Sequence, residues 1–245
     1  MKILVCISHV PDTTAKINFT PDNKAFDSTG VTFIINPYDE IALARAIELT
    51  EGGGGTVTAI NVGDATTEPT LRKALAIGAS DAVRINAVPE NSYFVAKQIA
   101  EHARKNSYEL ILCGRESSDY NGSSVPMMVA EMLNIPGVSS AKKLSVEGTT
   151  AVIEREMEGG KQVISVPMPL VAGASEGMAE PKIPNMRGIM SARTKPLTVV
   201  EPVEVPVLTR IVSYDKPSVR STVKLINTED AGKLWEMLRE EKKII

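Results

Sequence analysis

The sequence is poor in the residues that do visible chemistry. Aromatics make up 4% of its 245 residues, with a single Trp, too few for the stacking platforms that bind single-stranded nucleic acid. Net charge is −3, from 27 basic and 30 acidic side chains, which excludes a general affinity for nucleic acid phosphates. The two cysteines, Cys6 and Cys113, fall in apolar, strand-like runs. They read as buried, reduced thiols of a cytosolic protein and not as a disulfide framework. The two histidines are His9 and His102. His102 falls on the polar side of a predicted helix and is expected to be solvated. His9 ends a predicted strand, where it can line a site. HExxH, CxxC, Walker and GxGxxG patterns are absent, so no catalytic residue and no metal ligand is predicted. No apolar run approaches the roughly 18 residues of a membrane span. Lys2 is followed by a short apolar run that turns polar at Ser8, unlike a signal peptide. The expectation is a cytoplasmic or matrix-like chain without membrane insertion.

What is present is ordinary globular material, 43% hydrophobic and 23% charged, enough for one large α/β domain or two small ones. Lys2–Ser8, Val31–Ile35, Thr56–Val62, Asp81–Ile85 and Leu110–Cys113 are apolar or β-branched runs that read as strands. Between them, Tyr38–Glu51, Glu68–Ile77, Ser92–Lys105 and, after the last, Met127–Leu133 carry helical periodicity. Gly52–Gly55 ends the first helix and supplies left-handed geometry and slack. This alternation predicts an open, doubly wound, mainly parallel sheet.

From Val138 the period changes to hairpin-like alternation through Val166, turning at Gly159-Gly160. Glu154, Glu156 and Glu158 alternate there and read as one solvated face. An apolar run, Met168–Ala172, precedes a Gly/Pro-rich segment predicted to be neither helix nor strand. That segment carries Met186 and Met190 among Lys182, Arg187, Arg193 and Lys195. Long irregular loops in compact chains are usually functional, and apolar residues amid positive charge suggest docking. Thr198–Val212 is Pro-interrupted and reads as an extended arm on a surface. A last helix is predicted over about Thr228–Lys243, with Thr228 as N-cap. Its apolar face, Leu234, Trp235 and Leu238, needs something to bury it.

In open α/β sheets ligands sit beyond the carboxyl ends of the strands. Four such ends carry glycines, hydroxyls and amides: Cys6–His9, Asn36–Asp39, Val62–Asp64 and Gly114–Ser124. The helix start after Ser123-Ser124 would aim free N–H groups at an anion. A nucleotide phosphate fits that description, and ordinary βα loops would look the same.

Several ordered motifs carry a resemblance over essentially the full chain. They are Asn36-Pro37-Tyr38-Asp39-Glu40, the run from Leu71 to Ala79 (LRKALAIGA), Ile153 to Gly160 (IEREMEGG), Met168 to Ala172 (MPLVA), Ala179-Glu180-Pro181-Lys182, and Met186 to Lys195 (MRGIMSARTK). The spacing from Gly114 to Pro136 agrees as well. Together these resemble the small, or beta, subunit of electron-transfer flavoproteins. The fold implied is Rossmann-like, of the adenine-nucleotide-binding type, with an added β-hairpin region and an extended C-terminal arm. Residues 1–196 would form the nucleotide-binding domain, including a recognition loop at 180–195. Residues 197–245 would form the arm and helix that pack on an alpha subunit.

The resemblance further implies an electron carrier and not an enzyme. FAD shared with the alpha subunit would take electrons from flavin dehydrogenases, such as the acyl-CoA dehydrogenases of fatty acid oxidation, and pass them to a quinone reductase. The beta subunit would hold a structural AMP. By position, the nucleotide contacts would be Cys6, Asn36, Pro37, Tyr38, Asp39, Val62, Gly63, Gly114, Ser117, Ser118, Asp119, Tyr120, Asn121, Gly122, Ser123, Ser124, Val125 and Met128. Partner docking would fall to Met186, as the apolar anchor, with Ile183, Arg187, Met190, Arg193 and Lys195. Ser191 and Thr194 stand where the family has lysines. Glu156 matches a glutamate linked to release of the flavin domain. The Val10-Pro11-Asp12-Thr13 run is similar to that of flavin-bifurcating relatives, in which a second, redox-active FAD replaces AMP and accepts hydride from NADH. That reading stands as the alternative.

Overall fold

Successive residues of Lys2–Cys6 (β1) point to opposite faces of a strand, and all but the first are buried. A strand buried on both sides belongs in the middle of a sheet covered on both faces. The computed structural model, which describes residues 1–218 and 223–241, places it there. The elements in chain order are β1, β2 (His9–Pro11), β3 (Phe33–Ile35), α1 (Pro37–Thr50), β4 (Thr56–Val62), α2 (Glu68–Ile77), β5 (Asp81–Ile85), α3 (Ser92–Asn106), β6 (Leu110–Gly114) and α4 (Val125–Leu133). There follow β7 (Gly137–Glu147), β8 (Thr150–Met157), β9 (Gly160–Pro167), β10 (Leu170–Ala174), α5 (Met186–Ala192), β11 (Leu197–Val200) and α6 (Ala231–Glu236).

The main sheet has nine strands in the order β11-β5-β4-β1-β6-β10-β7-β8-β9. Pairing is parallel from β11 to β7 and antiparallel along β7, β8 and β9. Two cores result. On one face Ile3, Val5, Ala59 and Leu112 pack with Leu43 and Ala46 of α1 and Leu71 and Leu75 of α2. On the other, Leu4, Cys6, Ile60 and Ile111 pack with Ala96 and Ile99 of α3 and Val129 of α4. The doubly wound, mainly parallel α/β fold read from the sequence is therefore the fold observed.

Several details differ from expectation. Val31–Ile35 is not a sheet strand: β3 pairs antiparallel with β2 in a separate two-stranded ribbon. That ribbon brings the His9–Pro11 segment, expected to be loop, over the end of β1. Within 180–195 a short helix, α5, forms, where neither helix nor strand was predicted. Asn185 caps it by accepting from the Gly188 N–H at 2.8 Å. The arm begins inside the sheet, since β11 pairs parallel with β5 at the edge. Glu158 lies in the turn after β8 and shares no strand face with Glu154 and Glu156. Thr228 opens a single 3-10 turn after Asn227, and neither that turn nor α6 has a side-chain cap. Lys242 and Lys243, at the end of the predicted helix, lie outside the described residues. His102 is half-buried, its Nε2 3.3 Å from the Tyr108 hydroxyl.

Candidate functional site

The chain runs from β1 outward through β4 and β5, then returns to β6 on the other side of β1. Such a reversal opens a crevice beyond the carboxyl ends of the strands. A cavity of about 860 Å³ occupies it, within the range of about 300–1,000 Å³ typical of ligand sites. Its floor is formed by Ser8, His9, Val62 and Gly63, at the ends of β1 and β4. One wall is the loop before α4, with Ser117, Asp119, Tyr120 and Val125. The other comes from the β5–α3 loop, Val88–Ser92, and Val95. Thr209, Arg210 and Ile211 of the arm close the mouth.

The floor is tightly packed at Gly63. A Cβ on Gly63 would sit 2.4 Å from Thr67 Cγ2 and 2.5 Å from Asn61 Oδ1. Only glycine fits there, so the Asn61 and Thr67 side chains close against its main chain and fix the shape of the floor. Asn121 and Ser123 adopt φ of 48° and 49°, a left-handed pattern within the loop that leads into the first turn of α4. Helix first turns leave N–H groups without intrahelical partners, and turns of this kind form anion-binding concavities. Hydroxyls of Ser8, Thr66, Ser92 and Ser117 add neutral donors around the lining. This donor set suits the phosphate and ribose of a nucleotide.

Of the residues predicted to touch nucleotide, Val62, Gly63, Ser117, Asp119, Tyr120 and Val125 line the cavity. Asn36 and Asp39 stand behind it as braces. Asn36 is fully buried. Its Nδ2 donates to the Glu116 carbonyl at 2.8 Å, and its Oδ1 accepts from the Ser118 N–H at 3.1 Å. That use of the side chain explains why it makes no cap bond to α1, whose start is fixed by Pro37. Asp39 accepts from the Ser8 N–H at 2.7 Å and from the Gly114 N–H at 2.8 Å, tying the ends of β1 and β6 together. A Cβ at Gly114 would meet Asp39 Oδ1 at 2.3 Å. Tyr38 lies under the Arg115 guanidinium, 4.8 Å from ring centre to Cζ. Cys6 is buried against Cys113; the hydrogen bond between them, with burial, pushes the Cys6 thiol well up. Gly122, Ser124 and Met128 do not line the cavity, Met128 packing into the second core.

His9 stacks flat on Phe33, centroids 4.4 Å apart, and its Nδ1 meets the Thr70 hydroxyl at 2.7 Å. Burial lowers its pKa. Asp64 is held low by the Thr66 hydroxyl and N–H. The β5–α3 loop and the arm were not foreseen as parts of the site. Asn91, which caps α3 through the Phe94 N–H, gave the first of these a local signal; the arm gave none.

A second surface lies on α5 and its approach. Ile183 is 92% exposed, Met186 74% and Met190 68%. Ile189, absent from the predicted set, joins them at 42%. Arg187 and Arg193 are exposed beside them. Lys195 points inward instead: its Nζ donates to the carbonyls of Leu75 and Ala79 at 2.9 and 2.6 Å, closing the end of α2. Arg72 answers from α2, donating to the carbonyls of Ala192 and Lys195. Glu156 lies apart from both surfaces, on β8, 3.0 Å from Lys142 Nζ. Among the described residues no cluster of acidic, His and Cys side chains could hold a metal, and no helix is long and apolar enough to cross a membrane.

The family model described as "Electron transfer flavoprotein domain" matches residues 24–205. The chain is 34% identical over 260 residues to the electron transfer flavoprotein subunit beta of Bacillus subtilis, covering all of both chains. It is 36% identical over 198 residues to that of Thermoanaerobacterium thermosaccharolyticum, covering 80% of this chain and 76% of the relative. With the human protein of the same name identity is 30% over 251 residues, covering 98% of each.

Proposed function

The chain belongs to the electron transfer flavoprotein beta-subunit family, and on that premise we propose that it is the small subunit of a heterodimeric electron carrier with an adenine nucleotide in the cavity beyond β1, β4 and β6. The observation that carries this reading is the cavity itself. It lies at the topological switch of the sheet, and its wall is the loop that the sequence motifs mark as nucleotide-binding. AMP is the favoured occupant. The neutral donors of the lining and the start of α4 suit the ribose and phosphate of a structural nucleotide.

FAD would lie chiefly with the alpha subunit and supply the electron transfer; this chain's residues position and cover it. Glu156 is free to serve at that boundary, because its Lys142 pair is exposed and weak. The 180–195 segment would dock flavin dehydrogenases, with Met186 as anchor, since a flexible thioether adapts to differing pockets. Electrons would leave for a quinone reductase. The arm and α6 would pack on the alpha subunit, and the complex would work in the cytoplasm, serving fatty acid oxidation. A second reading, a bifurcating complex with a second FAD in this cavity and NADH as donor, is favoured by the Val10–Thr13 run. That run leads into the ribbon whose His9, Val10 and Phe33 line the cavity.

The two readings separate on nucleotide content. The chain is co-expressed with its alpha partner, the complex denatured and the released nucleotides quantified. One FAD and one AMP per heterodimer is the expected result; two FAD and no AMP would replace the carrier reading by the bifurcating one.

A further inference from the structure

The cavity is acidic where a phosphate would need positive charge. Asp64, Glu90 and Asp119 all line it, and His9, lowered by burial, is neutral at pH 7. Among the described lining residues the one permanent cation is Arg210. It comes from the irregular chain after β11 and not from the sheet. Its side chain is exposed and has no ion-pair or hydrogen-bond partner among the described residues.

The chain around Arg210 is nevertheless pinned. Upstream, the Gln98 side chain grips Val203 at both main-chain atoms, donating to its carbonyl at 2.7 Å and accepting from its N–H at 2.8 Å. Asn91 Nδ2 donates to the Thr209 carbonyl at 3.3 Å. Downstream, Tyr214 stacks on Phe19 at 4.9 Å, and its hydroxyl lies 3.3 Å from that of Tyr120. The Tyr214 N–H donates to the Asn23 carbonyl at 2.8 Å. Residues 203–216 thus form a strap across the cavity mouth, fastened at both ends, with a guanidinium in its middle that has no partner among the described residues.

We propose that Arg210 is the charge partner of the ligand's anionic group, so that ligand binding and seating of the 203–216 strap form one coupled equilibrium. The inference rests on the nucleotide reading of the cavity, which makes that group a phosphate. Without a cation, a phosphate here would face three carboxylates with only neutral donors to offset the repulsion. A guanidinium supplies a planar fork that matches phosphate oxygens two at a time. Because the strap carries it, the ligand contacts the seated arm and not a displaced one, and that difference is what shifts a population.

The test uses the full chain in complex with its larger subunit, stripped of nucleotide and titrated with AMP and with adenosine. Arg210→Gln is expected to lower AMP affinity about tenfold to a hundredfold, the worth of a charge-assisted contact, and to leave adenosine affinity unchanged. Arg210→Lys should recover part of the loss. Tyr214→Ala, which removes the side-chain part of the downstream fastening, should weaken AMP binding in the wild-type background and add nothing to Arg210→Gln, a double-mutant cycle that reports the coupling. Equal AMP affinity in wild type and Arg210→Gln would overturn the inference while the nucleotide site stands. Strictly additive losses would overturn the coupling. A wild-type complex that neither carries nor rebinds any nucleotide would overturn the nucleotide reading itself.

Discussion

Asp39 is a buried carboxylate held by the main-chain N–H groups of Ser8 and Gly114 and by the side chains of Asn36 and Ser8, without a cation in contact among the described residues. Burial raises its pKa from 3.8 to about 6, while the bonds from Ser8, Asn36 and Gly114 hold it down. The sign of the consequence follows. The folded state takes up the proton at a higher pH than the unfolded state does, so this group favours folding below about pH 4. That contribution, on the order of 3 kcal/mol for a shift of this size, is lost as pH rises through 6. A side-chain carboxyl titration followed by NMR should place Asp39 near 6, and a value below 4 would show the hydrogen bonds winning over burial. Asp39→Asn turns an NH₂ toward a main-chain donor. It should cost about 1–3 kcal/mol in denaturant unfolding, and it should loosen the cavity wall. The sequence marked Asn36–Asp39 as a strand-end loop near the site. It could not show that the side chains turn to brace Gly114 and Glu116, because those partners lie more than seventy residues on.

Among the elements, α5 shows what periodicity can and cannot reveal. Seven residues make fewer than two turns, and Gly188 and the prolines before it argue against helix. The reason for the glycine is tertiary: a Cβ at Gly188 would fall 2.3 Å from the Ala76 carbonyl of α2. Gly188→Ala must therefore push α5 off α2. We expect it to cost about 1–3 kcal/mol and to open the 180–195 segment to protease. Met186→Ala touches only an exposed side chain; it should leave stability within about 0.5 kcal/mol but slow flavin reduction by a partner dehydrogenase about tenfold. Wild-type transfer in the methionine variant would remove the anchor role. The buried strands β1 and β6 were legible because each holds a continuous apolar run closed by a turn, and β4 and β5, interrupted by Asn61 and Arg84, because they alternate with clear helices. β3 and β11 were misplaced because a strand's partner is not written in its own residues.

At the scale of the whole molecule the arm and α6 are unfinished surfaces. Trp235 is 60% exposed and Leu234 48%, unusual for the one tryptophan of a chain with so few aromatics. Binding of the alpha subunit should bury Trp235, shift its emission to the blue and protect α6 from hydrogen exchange. Trp235→Ala should weaken subunit association about tenfold or more, as loss of an aromatic anchor does. Unchanged emission on complex formation would place the interface elsewhere. The apolar face was visible from the spacing of Leu234, Trp235 and Leu238. What covers it was not, because a helical pattern records that burial is needed and not by whom.

The place of β10 has a bearing on how the chain reaches this state. It lies between β6 and β7, yet it follows β9 in the sequence. Until residue 174 has left the ribosome, two neighbouring strands face a slot that no earlier segment can fill. The antiparallel β7–β9 unit can form early, from local contacts, but it docks to the parallel half only when a later strand slides between them. Non-local pairing of this kind slows folding, and open edges that wait for a partner invite the wrong one. A nascent chain stopped short of β10 would hold two half-sheets with exposed seams, the form of this protein that most needs a chaperone.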